Sequence, residues 1–132
     1  MSQDNVEIAK RAVAAFNATD IQAFAALTAV DFEWFPSTSP IENEAFVGVD
    51  GIRSYFDRLA GAWEHFRVFP DRILDRADCV LVLARLEGRG RTSGVTVDAS
   101  LGMAFDLRDG LIARIRGFLD QDEALKATGL GS

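Results

Sequence analysis

The stretch that decides the fold runs over residues 95–119 and reads VTVDASLGMAFDLRDGLIARIRGFL. Two runs of alternating apolar and polar residues flank the dipeptide Asp109-Gly110. An Asp-Gly pair in this setting favours a two-residue hairpin turn, because both central residues of that turn need a positive φ. The stretch therefore predicts two long antiparallel strands, over 95–107 and 111–119.

Further strands are predicted upstream of this hairpin. Alternation of period two covers residues 64–74, with an interruption at Pro70, and residues 79–87. A glycine-rich turn over 88–94 connects the second of these strands to the hairpin. Alternating acidic and aromatic residues over 31–35 predict one more short strand.

Helical spacing governs the first part of the chain. Apolar residues at a period near 3.6 predict a helix over 4–17. Thr19 with Gln22 resembles a capping box that would open a second helix over 20–28. A third amphipathic helix is expected to begin with Asp50 as its cap.

Helices followed by antiparallel strands indicate an α+β fold. Asp120 is expected to cap a short final helix that Gly129 ends. The segment 36–48, rich in Pro, Ser and Thr, is predicted to be a loop and the most mobile flap. A length of 132 residues is typical of one domain, which we expect to span residues 1–132.

Composition argues against several partner classes. The formal net charge is −6, and the only short run of arginines surrounds residue 90, so neither nucleic acid nor a membrane surface is an expected partner. Cys79 is the only cysteine, which suits a reducing cytoplasm. It is either a nucleophile or, as we favour, a buried thiol that opens an apolar strand.

The glycines at 88, 90 and 94 do not form a nucleotide-binding loop. The dinucleotide fingerprint needs a strand, a glycine turn and then a helix, whereas strands are predicted on both sides here. No cofactor is therefore expected. A single His and no cysteine cluster make a poor ligand set, so no metal site is expected either.

Several segments, in order along nearly the whole chain, resemble bacterial SnoaL-like proteins of the nuclear transport factor 2-like superfamily. They are GVDGI at 48–52, RLEGRGRTSGV at 85–95, LRDGLI at 107–112 and LDQDEAL at 119–125. The resemblance implies a cone-shaped, curved antiparallel sheet wrapped around the N-terminal helices, a cystatin-like α+β roll. It also implies an apolar cavity open at one end and a homodimer formed through the convex sheet face.

The resemblance extends to ketosteroid isomerases, which use a base carboxylate, a Tyr and a protonated Asp. Their positions fall here on Ala12, on Phe35 before Pro36, and on Leu101 or Met103. All of these side chains are apolar, so proton transfer of the isomerase type is not expected.

The predicted cavity wall is apolar and aromatic. A cavity wall and an ordinary core have the same composition, so both interpretations stay open for every member. The predicted ligand-binding residues are Phe16, Trp34, Phe56, Trp63, Leu101, Met103, Ile115 and Leu119.

Two side chains are the candidate catalytic groups. Glu33 could enter the mouth of the cavity and act as a base whose pKa an apolar surround would raise. His65 could be a general base next to Glu64. Alternation with Phe66 and Val68, which should point inward, would instead turn His65 to the convex face.

Arg85, Glu87 and Asp98 form one further charged group. An Asp-Arg-Asp arrangement operates in the epoxide hydrolases of this superfamily. Strand alternation places all three opposite the apolar face, which favours a charged lattice on the convex surface. A β-bulge in the glycine-rich turn would reverse this assignment.

Two functional hypotheses follow. The first is a protein that holds an apolar small molecule in the cavity, with isomerase-like or cyclase-like chemistry that depends mainly on shape. The second is a non-catalytic binding or dimerisation module whose cavity is filled by its own aromatic side chains. A solvent-connected cavity of roughly 300 Å³ or more with a convergent polar group would favour the first.

Overall fold

In the described residues, 2–36 and 44–130 (with side chains from residue 4), the computed structural model contains four helices and six strands. The helices are α1 (Ser2–Asn17), α2 (Ile21–Ala25), α3 (Gly48–Ala62) and α4 (Gln121–Thr128). The strands are β1 (Thr28–Phe35), β2 (Phe46–Val47), β3 (Trp63–Arg76), β4 (Cys79–Gly90), β5 (Thr96–Arg108) and β6 (Leu111–Phe118). Of these helices, none combines the length and the apolar character needed to cross a bilayer.

The strands form one curved sheet in the order β2-β1-β6-β5-β4-β3. The pair β1–β6 is parallel and every other pair is antiparallel. The predicted hairpin between β5 and β6 is confirmed, because Asp109 and Gly110 at its turn have φ values of 56° and 78°. The α+β class predicted from the sequence is also confirmed.

Strand alternation separates the two faces of the sheet as predicted. Val82 lies opposite Met103 and Ala84 opposite Leu101, and these four residues face α1 and α3 in the main core. Arg85, one residue further along β4, lies opposite a serine of β5 and is exposed. The concave face is therefore apolar.

Helix α4 covers part of the convex face. A second apolar cluster joins Leu81 and Leu83 of β4 to Ala104 of β5 and Ala124 of α4. A Cβ atom on Gly102 would lie 2.6 Å from the Cβ of Ala124, so the helix approaches the sheet as closely as glycine allows. The Asp120 carboxylate caps α4 and Gly129 ends it with φ 72°, as predicted.

Helix α1 begins at Ser2, two residues before the predicted start, and three boundaries of α2 and α3 also differ from the prediction. Asp20, rather than Thr19, caps α2, because its carboxylate accepts a hydrogen bond of 3.0 Å from the backbone N–H of Ala23. That helix ends at Ala25, before the predicted 28, and β1 follows sooner than expected. Helix α3 starts at Gly48, so Asp50 lies in its first turn and does not cap it.

The short strand β2 was not predicted, because it lies within the segment 36–48 that was assigned to a loop. It pairs with β1, which places Phe46 beside Trp34. Residues 37–43 of the predicted flap lie outside the described residues.

Strand β3 forms the far edge of the sheet and continues through Pro70. An edge strand tolerates proline because one side of its backbone has no ladder partner, and the pairing register shifts just after Pro70. Asn17, at the end of α1, covers part of this free edge. Its amide donates to the carbonyl of Val68 at 2.8 Å and accepts from the N–H of Val68 at 2.9 Å.

Candidate functional site

An apolar pocket lies between the helices and the concave face of the sheet. Helix α1 contributes Ala12 and Phe16, and the sheet contributes Leu101, Met103 and Ile115. Its volume is about 40 Å³. At roughly 10–15 Å³ for each water-sized site, that is room for only a few such molecules, well below the roughly 300 Å³ of an ordinary ligand pocket.

Aromatic rings pack against one another beside this pocket. Trp34 is stacked on Phe24, with ring centroids 4.9 Å apart and planes 11° from parallel. It also makes edge contacts with Tyr55 at 4.6 Å and Phe16 at 6.0 Å. Each ring limits the movement of its neighbours, so the narrow pocket is the gap left within an aromatic cluster.

The pocket wall carries few polar groups. None of its described lining residues is Asp, Glu, Lys, Arg or His. The indole N–H of Trp34 and the hydroxyl of Tyr55 are the side-chain N–H and O–H groups among those residues, and the Tyr55 side chain is only 4% exposed. Ala12, Leu101 and Met103, where the isomerase resemblance would require polar groups, line this wall with apolar side chains.

A larger groove adjoins the pocket where α1 and α3 end and β3 begins. Its volume is about 290 Å³, and its wall is both aromatic and charged. Phe16 and Phe66 line the groove as well as the pocket, and their ring centroids lie 5.8 Å apart. We call the first cavity the inner pocket and the adjoining one the outer groove.

The predicted ligand-binding residues divide between these cavities. Trp34, Leu101, Met103 and Ile115 line the inner pocket, and Phe16 lines both cavities. Two further members line only the outer groove: Phe56 and Trp63. The last member, Leu119, follows the end of β6, is 54% exposed and lines neither cavity.

The two candidate catalytic residues are not brought together. Glu33 is exposed on β1 between the buried residues Phe32 and Trp34, so it faces away from the inner pocket. His65 is exposed at the start of β3 and lines the outer groove. Within the described parts of the chain, no cluster of three or more His, Cys, Asp or Glu residues could hold a metal ion.

The group Arg85, Glu87 and Asp98 lies on the convex face, as alternation predicted. The Arg85 guanidinium is 2.8 Å from the Glu87 carboxylate and 3.9 Å from that of Asp98. Arg85 also lies over the ring of Phe69, 5.5 Å from its centroid. The glycine-rich turn does not reverse the faces, because Glu87 and Asp98 remain directly opposite one another.

Cys79 is half-buried at the start of β4. Burial, and after it the nearby Asp106 carboxylate, raises the pKa of its thiol to about 11. A raised pKa keeps the thiol protonated, which favours the interpretation as a buried thiol over a nucleophile.

Several lining residues were not singled out from the sequence. Tyr55 lies three positions after Ile52, so the helical spacing that identified the apolar stripe of α3 could have included it. Phe24 of the short α2 could have been found the same way. Arg67 and Arg91, which line the outer groove, gave no signal, because arginines on strands and turns are common on any surface.

Comparison with known proteins supports the same fold. The model of the SnoaL-like domain family matches residues 9–115. An NTF2-like protein of unknown function from Burkholderia pseudomallei K96243 is similar in structure, with a TM-score of 0.80 at 17% identity over 93% of this chain and 95% of that one. No functionally curated protein matches the sequence.

Two further solved structures are similar. A proposed SnoaL-like polyketide cyclase from Jannaschia sp. CCS1 has a TM-score of 0.78 at 22% identity, over 96% of this chain and 92% of its own. TerC, co-crystallised with polyporic acid, has a TM-score of 0.78 at 20% identity, over 93% of this chain and 96% of its own. The fold, its apolar cone and the family match over most of the sequence agree: this chain belongs to the SnoaL-like domain family.

Proposed function

We propose that this protein binds a small, uncharged, flat apolar molecule in the inner pocket. The observation that carries the proposal is the composition of the wall, which is aromatic and aliphatic and has no ionisable acid, base or imidazole among its described residues. Such a wall favours apolar ligands, because a charged ligand would lose its hydration without gaining a partner. Related structures described as a polyketide cyclase, or crystallised with a small organic molecule, add support.

Any chemistry in this pocket would depend mainly on shape. The indole N–H of Trp34 could donate to a carbonyl oxygen of the ligand, which would orient it for an isomerase-like or cyclase-like step. Neither Glu33 nor His65 has a role in this proposal, because neither lines the inner pocket.

Thermal unfolding with a panel of neutral aromatic ketones and epoxides tests the proposal. A ligand at about 100 times its Kd should add roughly 2.7 kcal/mol to the free energy of unfolding. Replacing the buried Ala12 with leucine should fill the pocket and abolish the shift. The matched control is Ala14→Leu on the exposed side of the same helix, which should leave the shift unchanged.

The panel contradicts the proposal if no compound raises the melting temperature of the wild-type protein. A shift that survives in Ala12→Leu would also contradict it, because the ligand would then occupy another site.

One observation favours the second hypothesis, a non-catalytic module filled by its own aromatic side chains. The inner pocket of about 40 Å³ is too small for an aromatic ring unless the wall moves. Under this alternative, truncation of the buried Phe24 to alanine costs about 3–5 kcal/mol, and no neutral ligand stabilises the wild-type protein.

A homodimer through the convex face, in a cytoplasmic protein, completes the proposal. The convex face offers an exposed aromatic ring, Phe69, beside the charged group of Arg85, Glu87 and Asp98. A self-associating face can pair such opposite charges across a two-fold axis.

A further inference from the structure

The outer groove holds two arginine side chains that no described carboxylate neutralises. Arg67 of β3 and Arg91 of the turn after β4 both line it, and neither lies within salt-bridge distance of an acidic group in the described residues. Among the described residues of the groove wall Glu64 is the one acid, and its carboxylate lies 3.6 Å from Arg89. In a chain of net charge −6, this is a local concentration of positive charge.

Arg67 reaches the groove over the free edge of β3. Its Nη1 donates to the backbone carbonyl of Phe66 at 3.0 Å. Phe66 lies two residues before Val68, whose backbone groups also face the free edge. A guanidinium has five N–H donors, so most of those of Arg67 remain available to a ligand.

Arg91, in the wall of the same groove, is held in place by backbone carbonyls. Its Nε donates to the carbonyl of Ala60 at 3.0 Å, and its Nη2 donates to that of Trp63 at 3.3 Å. These bonds hold the guanidinium at the C-terminal end of α3 and leave Nη1 without a hydrogen bond to the described residues. The group is therefore positioned before any ligand arrives.

Aromatic side chains also line the groove. Trp63 and Phe66 make an edge contact at 5.4 Å, and Phe56 contributes from α3. The volume of about 290 Å³ is close to that of an ordinary ligand pocket. An aromatic surface that carries two guanidiniums without a carboxylate partner suits a flat molecule with one carboxylate, since arginine matches that group with paired hydrogen bonds.

We propose that the outer groove is a binding site for an aromatic carboxylate, distinct from the inner pocket. The ring of the ligand packs on Trp63 and Phe56, and its carboxylate accepts hydrogen bonds from Arg67 and Arg91. This inference does not depend on occupancy of the inner pocket, because Phe56, Trp63, Arg67 and Arg91 line the groove and not that pocket.

The two tryptophans provide a separate reporter for each cavity, because Trp34 lines the inner pocket and Trp63 the outer groove. With 5-fluorotryptophan incorporated, fluorine NMR gives one resonance for each, assigned with Trp63→Phe. The probes are trans-cinnamate and its neutral isostere trans-cinnamamide. Cinnamate is expected to shift the Trp63 resonance and to bind at least about tenfold more tightly than cinnamamide.

Arginine variants complete the experiment. Arg67→Gln should lower cinnamate affinity by about tenfold while leaving cinnamamide unchanged, and Arg91→Gln is the second variant. Arg53→Gln, on an exposed position of α3 that lines neither cavity, removes the same charge and should have no effect.

Three results would overturn the proposal. The first is equal affinity for cinnamate and cinnamamide, and the second is wild-type cinnamate affinity in both Arg67→Gln and Arg91→Gln. The third is a spectrum at millimolar cinnamate in which only the Trp34 resonance shifts, or in which neither tryptophan resonance shifts. Failure of the proposed ligand binding in the inner pocket is a different result, because neutral ketones would then leave the Trp34 resonance unchanged.

Discussion

The side chain of Asn17 makes hydrogen bonds to an edge strand that a neighbouring strand would otherwise make. Its amide donates to and accepts from the backbone of Val68, so both groups are satisfied on an edge where no further strand of the described residues pairs. Unpaired strand edges are prone to pair with other chains, and such contacts limit that tendency.

Asn17→Asp is predicted to destabilise the protein by about 1–3 kcal/mol at neutral pH, because the carboxylate cannot donate to the Val68 carbonyl. The free energy of unfolding in urea measures the effect. Lowering the pH toward about 4 should reduce the deficit, since a protonated Asp regains a donor. Asn5→Asp on the same helix is the control, and an equal loss in both variants would contradict the explanation.

Cys79 is predicted to react slowly with alkylating reagents. Its pKa rises from the ordinary value of 9.0 to about 11, so at pH 8 the reactive thiolate is about a hundredfold scarcer than in an unperturbed thiol. At pH 8, the rate of alkylation by iodoacetamide should therefore be about a hundredfold lower in the folded protein than in the protein unfolded in guanidinium chloride. The folded rate should rise about tenfold per pH unit toward pH 11, and similar folded and unfolded rates at pH 8 would refute the assignment.

The lining residues of the inner pocket were predictable where strand alternation determines which face of the sheet a side chain occupies. Leu101, Met103 and Ile115 reach the inner pocket because period two leaves no other face for them. The division that puts Phe56 and Trp63 in a separate groove was not predictable, since it depends on where the rings of Phe16 and Phe66 meet. Ring placement comes from tertiary packing, which a linear pattern does not encode.

At the scale of elements, hydrophobic periodicity predicted helices and strands better than their ends. Helix α3 begins at Gly48 without a side-chain cap, so the prediction that Asp50 caps the helix placed its start too late in the sequence. The two-residue strand β2 has too few residues to show any period, and its pairing with β1 defines it. Boundaries set by long-range contacts leave no local trace in the sequence.

The docking of α4 on the sheet gives a prediction at this scale. Gly102→Ala is expected to cost about 1–3 kcal/mol, because the new Cβ would meet Ala124 at 2.6 Å. Ala124→Gly alone should cost about 1 kcal/mol of helix propensity. The double variant should lose less than the sum of the single variants, measured by urea unfolding. Strict additivity would mean that α4 does not pack closely at this position.

At the scale of the whole molecule, the convex face determines assembly in our proposal. Arg85→Glu would place a third acidic side chain beside Glu87 and Asp98 and should dissociate the proposed homodimer. Sedimentation velocity near 100 µM measures the change, and Arg53→Glu on α3 is the control that makes the same change of charge. A wild-type protein that sediments as a monomer at that concentration would contradict the proposed dimer.

The parallel pairing of β1 with β6 has a consequence for synthesis on the ribosome. Thr28 is paired with Ile112, and Trp34 with Ile115, so the first strand meets its long partner only after most of the chain has been translated. Until then Phe32 and Trp34 belong to a nascent segment whose backbone is open along that side. Translation that stalls before codon 111 would release a chain with this side uncovered, which makes it a substrate for chaperones or for aggregation.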